Sequence, residues 1–216
     1  MSEMTELISK SFETPLGEVV CCLKSSESEL EFEGTKSYEN GKSEVYKTKG
    51  HQIELVEFKI KQPLYNGETV TDSNGWIWRI QKTNSVAEEL ETSCFLHPNN
   101  GVEFDIATGE HLDAIEAQTE EWTLHIGTED GEILNYRAQE EDWFPKRLLD
   151  KVDFEQSITK LRTERVITSI PKLELNEKLH IQYLTAYSER EQESVSSWLA
   201  VDEFKNNLEK WIGIRQ

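Results

Sequence analysis

From Leu179 to Tyr187 the side chains alternate: Leu179, Ile181, Tyr183, Thr185 and Tyr187 form one face of β-branched and aromatic residues. A period of two fits an extended strand and not a helix. The same signature recurs through the first 82 residues. A cysteine- and valine-rich run, 17–23, follows the turn signal Pro15-Leu16-Gly17, and 29–33 alternates glutamate with apolar residues. Asn40-Gly41 lies between Tyr38 and Val45 as a hairpin signal. In 76–80, Trp76, Trp78 and Ile80 share one face, and alternating aromatics on a strand usually face a core. Asn66-Gly67 and Asn74-Gly75 read as turns. Residues 122–126 and 133–137 read as a hairpin about Glu129-Asp130-Gly131, and 195–201 as a further strand.

Helical spacing is sparser. Residues 110–121 carry Leu112 and Ile115 on one side, Asp142 precedes a short helix at 143–151, and Phe154, Ile158 and Leu161 have i, i+4, i+7 spacing. Asp202 reads as the N-cap of a last helix over 203–212, with Phe204, Leu208, Trp211 and Ile212 on one side. These elements predict an α+β fold: mostly antiparallel β-sheet, a few short helices, and a C-terminal helix packed on the sheet. A β-rich lobe over 1–100 and an α+β lobe over 110–216 are the expected division, with one continuous domain as the alternative. The apolar content of 36% is low, but 20 aromatic residues, six of them tryptophan, argue against disorder.

Charge is unevenly distributed. Between Thr83 and Tyr136 there is no lysine or arginine, yet there are thirteen carboxylates. Residues 84–155 hold 19 acidic and 4 basic side chains, while 156–216 hold 9 of each. A field of this sign repels nucleic acid and anionic membrane and attracts cations or basic proteins. The expected function is therefore a non-enzymatic binding module that holds a basic protein partner, as an inhibitor or immunity protein does. The candidate partner-binding residues are Glu110, Asp113, Glu116, Glu120, Glu121, Glu129 and Asp130, with Trp122 and Trp143 as apolar anchors.

Motifs of known chemistry are missing from the sequence. It has no GxSxG, P-loop, GxGxxG or HExxH, so no catalytic residue, metal or cofactor is expected. The alternatives are a metal-assisted hydrolase using Asp105, His111 and Asp113, and a structural or assembly subunit. The three cysteines, Cys21, Cys22 and Cys94, include no CxxC pair and point to a reducing compartment. The acidic segment 1–6 does not read as a signal peptide. No apolar run approaches the ~20 residues of a membrane span, so cytoplasm is the expected location.

Overall fold

In a computed structural model, which describes residues 4–152, 157–190 and 195–214, the alternating segments pair into two antiparallel sheets. In chain order the strands are β1 (Thr5–Thr14), β2 (Gly17–Ser25), β3 (Glu31–Ser37), β4 (Gly41–Lys47), β5 (His51–Phe58), β6 (Asp72–Lys82) and β7 (Leu90–Pro98). There follow β8 (Glu103–Ile106), β9 (Leu112–Gln118), β10 (Trp122–Glu129), β11 (Thr159–Arg162), β12 (Arg165–Ile170) and β13 (Lys178–Glu189). The small sheet runs β1-β2-β7-β12-β11 and the large one β3-β4-β5-β6-β13-β10-β9-β8. Strands from before and after residue 100 pair within both sheets, as in β7 with β12 and β6 with β13.

The alternation decides the layers. Trp76, Trp78, Ile80, Leu179, Ile181 and Tyr183 point between the sheets and form the main core with Cys21, Leu23, Cys94 and Leu96 of the small sheet. Trp76, Trp78 and Tyr183 are fully buried. The Tyr183 hydroxyl crosses from the large sheet to donate to Thr168 Oγ1 at 2.7 Å, so this polar tip finds a partner inside the sandwich. The opposite face of the large sheet supports a second core, in which Val56, Phe58, Ile77, Leu184 and Ala186 meet Ala200, Val201, Leu208 and Ile212.

The α+β expectation is corrected: the chain is 50% strand and 15% helix, a β-rich fold in two sheets with only short helices. The helices are α1 (Gly131–Glu140), α2 (Ser196–Val201) and α3 (Lys205–Ile212), with a 3-10 turn over Lys146–Lys151. The helix expected over 110–121 is strand β9, whose two faces are both filled: Ala114 joins the second core, and Ile115 and Ala117 the first. The expected strand at 133–137 is instead helix α1, because Asp130 Oδ1 accepts from Ile133 N at 2.9 Å and caps it. The expected strand at 195–201 contains α2. The helix expected about Phe154, Ile158 and Leu161 falls partly on 153–156, outside the described residues, and continues as β11. Among the described residues no helix is long and apolar enough to cross a membrane.

Two glycines carry sequence signals that differ in origin. Gly17 sits at φ +137° in the β1–β2 turn, where a Cβ would lie 2.1 Å from the His97 carbonyl oxygen. Asn74-Gly75, expected as a turn, lies inside β6. Gly75 is there because the buried Phe58 ring covers it, and a Cβ would meet that ring at 2.3 Å. Gly75→Ala should therefore overpack the second core and cost about 1–3 kcal/mol. The urea midpoint should fall at unchanged slope; an unmoved midpoint would mean that the ring is free to shift.

Candidate functional site

The strands β8, β9 and β10 are neighbours at one edge of the large sheet, so residues 103–129 of the acidic stretch fold together and are not scattered. On the edge strand, Glu103, Asp105 and Ile106 are exposed. Glu110, Glu120 and Glu121 are exposed in the turns that flank β9. Glu116 lies across from His125. Its carboxylate meets His125 Nε2 at 3.0 Å, and that contact outweighs burial and holds Glu116 below the usual carboxylate range. His125 Nδ1 is also within 3.0 Å of Ser197 Oγ, which ties β10 to α2.

A second group of carboxylates gathers at the far end of β9. Asp113 is pushed up to about 6, first by burial and then by the charge of Asp130. Asp130 is raised by burial even though it caps α1. Asp202 is raised by burial, with the His111 ring opposing and Asp130 and Glu110 adding to the rise. His111 leans on Phe204, with ring centroids 5.7 Å apart. Asp105 does not join them, because its register partner is Glu116, three residues along β9 from Asp113. Among the described residues, no three His, Cys, Asp or Glu side chains are placed to hold a metal ion.

Three of the sequence-chosen residues are committed elsewhere in the fold. Glu129 is buried against Arg137. Arg137 Nη2 donates to the His180 carbonyl at 3.1 Å and to that of Trp143 at 3.3 Å. Lys205 continues the network: its backbone N–H donates to Glu129 at 3.2 Å, and its ammonium meets Asp142 at 2.7 Å and Glu209 at 2.9 Å. Burial alone would raise the Glu209 carboxyl, but the His180 ring and the Lys205 ammonium hold it down to about 2. Trp143, at φ 50°, lies between the Arg79 guanidinium at 4.1 Å and the Lys178 ammonium at 5.0 Å from its ring centroid. Trp122 packs edge-on against Tyr187 at 5.7 Å.

The sequence reading missed a groove of about 730 Å³ between α3 and the 60–65 loop, lined by Asn40, Tyr65, Glu203, Asn207, Lys210 and Trp211. It was hidden because α3 was assigned its inward face by hydropathy. The buried stripe is Lys205, Leu208, Glu209 and Ile212, a correct i, i+3, i+4, i+7 spacing with two charges in it. Phe204 is 39% exposed, and Trp211 borders the groove.

Two tests follow from this chemistry. Arg137→Met should cost about 3–5 kcal/mol, because it strands the Glu129 charge in a dry site; a loss below about 1 kcal/mol in chemical denaturation would show water reaching that carboxylate. The pH dependence should have two opposite parts. Asp113 binds its proton more tightly folded than at the ordinary 3.8. Its charge therefore opposes folding increasingly as pH rises from about 4 through 6, and the penalty disappears below that window. Glu88 and Glu209, both held down to about 2, stabilise the fold above the ordinary 4.5, and that contribution is lost as pH falls from there towards 2. Asp113→Asn should raise stability at pH 7–8 by about 1 kcal/mol, a value discounted for the partial exposure of the group. It should also reduce the fall in stability between pH 4 and 6, leaving the part that Asp130 and Asp202 contribute; an unchanged slope would assign it to those groups.

No protein-family model matches the chain, and no curated protein matches it. Among solved structures, it can be superposed on a bacterial glucoamylase complexed with acarbose at 12% identity and a TM-score of 0.41, over 97% of this chain and 37% of that one. The chain thus spans little more than a third of that neighbour's length, and a likeness at this level transfers neither fold nor activity.

Proposed function

We propose that this protein is a non-enzymatic binding protein that holds a basic protein partner along the β8–β9–β10 edge, in the manner of an inhibitor or immunity protein. The observation that supports the reading is the adjacency of these three strands. It sets exposed Glu103, Asp105, Glu110, Glu120 and Glu121 on one side of a protein whose formal net charge is -19. The Arg190 guanidinium, which donates to the Thr119 carbonyl at 3.0 Å, is a cation beside the β9–β10 turn. A predominantly negative field raises association rates with an oppositely charged partner and is weakened by salt. Asp113 and Asp130 extend the surface at one end. Glu129, Trp122 and Trp143 contribute through the internal contacts described above, and Glu116 is half-buried with its His125 partner.

The test is kinetic. A basic protein captured by the tagged chain at low salt is purified, and its association rate is measured against the wild type and against the quadruple variant Asp105→Gln, Glu110→Gln, Glu120→Gln, Glu121→Gln. Association with the variant should be slower by about tenfold at low ionic strength, with a flatter salt dependence. Equal rates and equal salt slopes would remove the electrostatic basis of the proposal.

A further inference from the structure

The strands β2 and β7 place Cys21 directly across from Cys94 in antiparallel register. Such partners project to the same side, and both belong to the core between the sheets. Directly opposed residues of an antiparallel pair have Cα atoms roughly 4.5–5.5 Å apart, within the roughly 4.4–6.8 Å that a disulfide spans. Burial pushes the Cys21 thiol well up, and the Cys94 thiol adds to the rise. Cys22 is differently placed. Its register partner is Ser93, its Sγ lies 3.3 Å from Ser93 Oγ, and it packs with Val20 and Phe95 in a separate cluster. All three cysteines are free thiols in the structure.

We propose that Cys21 and Cys94 form a latent redox site: when the chain folds in an oxidising medium it closes a cross-strand Cys21–Cys94 disulfide and leaves Cys22 reduced. The oxidant is a small-molecule disulfide such as oxidised glutathione. One cysteine thiolate attacks it, releasing one small thiol and forming a mixed disulfide. The second cysteine displaces the other small thiol. Two S–H bonds break and one S–S bond forms in the protein; the two protons and the electron pair leave on the two small thiols. Timing follows from burial. In the finished fold the neutral thiols are shielded and slow to react, whereas in the unfolded chain they are open to the oxidant. The bond would staple the centre of the small sheet across a loop of roughly seventy residues, a length at which the unfolded chain loses substantial entropy.

The experiment is refolding of the reduced, unfolded chain in mixed reduced and oxidised glutathione, followed by alkylation, digestion and mass spectrometry. It is run in the wild type and in Cys22→Ser, so that the neighbouring thiol cannot confuse the assignment. The expected product is two hydrogens lighter, joins the peptides that carry Cys21 and Cys94, and has Cys22 alkylated in the wild type. Its Tm should be higher by about 10 °C than that of the reduced form, reversibly with dithiothreitol. A disulfide through Cys22, a glutathione adduct persisting on Cys21 or Cys94, or three alkylated thiols at the end point would each overturn the proposal.

Discussion

The buried charge network on the outer face of the large sheet fixes where everything on that face can lie. Glu129 of β10 and His180 of β13 sit where an all-β sandwich would place apolar residues, and both are buried. Arg137 and Lys205 come from different helices to meet Glu129, and Glu209 completes the set. The two cations face the buried carboxylates Glu129 and Glu209, and the part-exposed Asp142 adds a third carboxylate at 2.7 Å from Lys205. Replacing such a set with apolar side chains commonly costs little or even stabilises, while removing one member is expensive. Its effect is therefore to specify a geometry: Arg137 must reach Glu129 and three carbonyls at once, which positions α1, and Lys205 does the same for α3. The left-handed conformation of Trp143 is fixed by the same contacts, since its carbonyl accepts from both Arg137 and the His180 N–H.

That arrangement also separates the acidic residues into two classes. Glu88, Glu116 and Glu129 are bound inside the fold, each with a basic or histidine partner. Glu88 is the most completely held: it accepts from Ser25, Thr48 and the Gly50 N–H and contacts His51 at 2.8 Å, which fastens the segment before β7 to the hairpin before β5. Other carboxylates lie at the β8–β9–β10 edge and at the Asp113–Asp130–Asp202 end. At that end Asp113, Asp130 and Asp202 are raised, each first by burial, with neighbouring carboxylates adding to the rise.

Legibility in the sequence followed locality. Strands with clean alternation, such as 179–187 and 76–80, and the turn at Pro15-Leu16-Gly17 were readable because each is decided by its own residues. Segments 110–121, 133–137 and 195–201 were misread because tertiary context decided them. β9 is apolar on both faces since it lies between two cores, so its period of two is blurred. Ile133–Arg137 alternates like a strand, but the Asp130 cap and the reach of Arg137 to Glu129 select a helix. The face of α3 was misread for a related reason: Lys205 and Glu209 are buried because each has partners from other elements, which no local pattern records. The clustering of carboxylates at one edge was likewise invisible, since it depends on β8, β9 and β10 being neighbours while β13 separates them from β6.

The acidic edge admits two physical explanations, and the positions of its residues separate them. An edge strand needs charge to prevent pairing with another chain, and Glu103 and Asp105 on β8 supply it, beside an Ile106 that is 57% exposed. Edge protection, however, is local to the strand that carries unpaired backbone groups. Glu110, Glu120 and Glu121 lie in the turns around β9, where their charge does nothing to block pairing along β8. Solubility does not require them to be of one sign either, since mixed charges serve it as well. What an excess of like charges across an edge and its adjoining turns, only partly offset by Arg190 at the β9–β10 turn, does produce is a field extending about a Debye length, roughly 8 Å, into physiological solvent. On the proposed reading a field of that extent acts on an approaching basic surface before contact, and the turn carboxylates, more than those on the strand, would carry that steering.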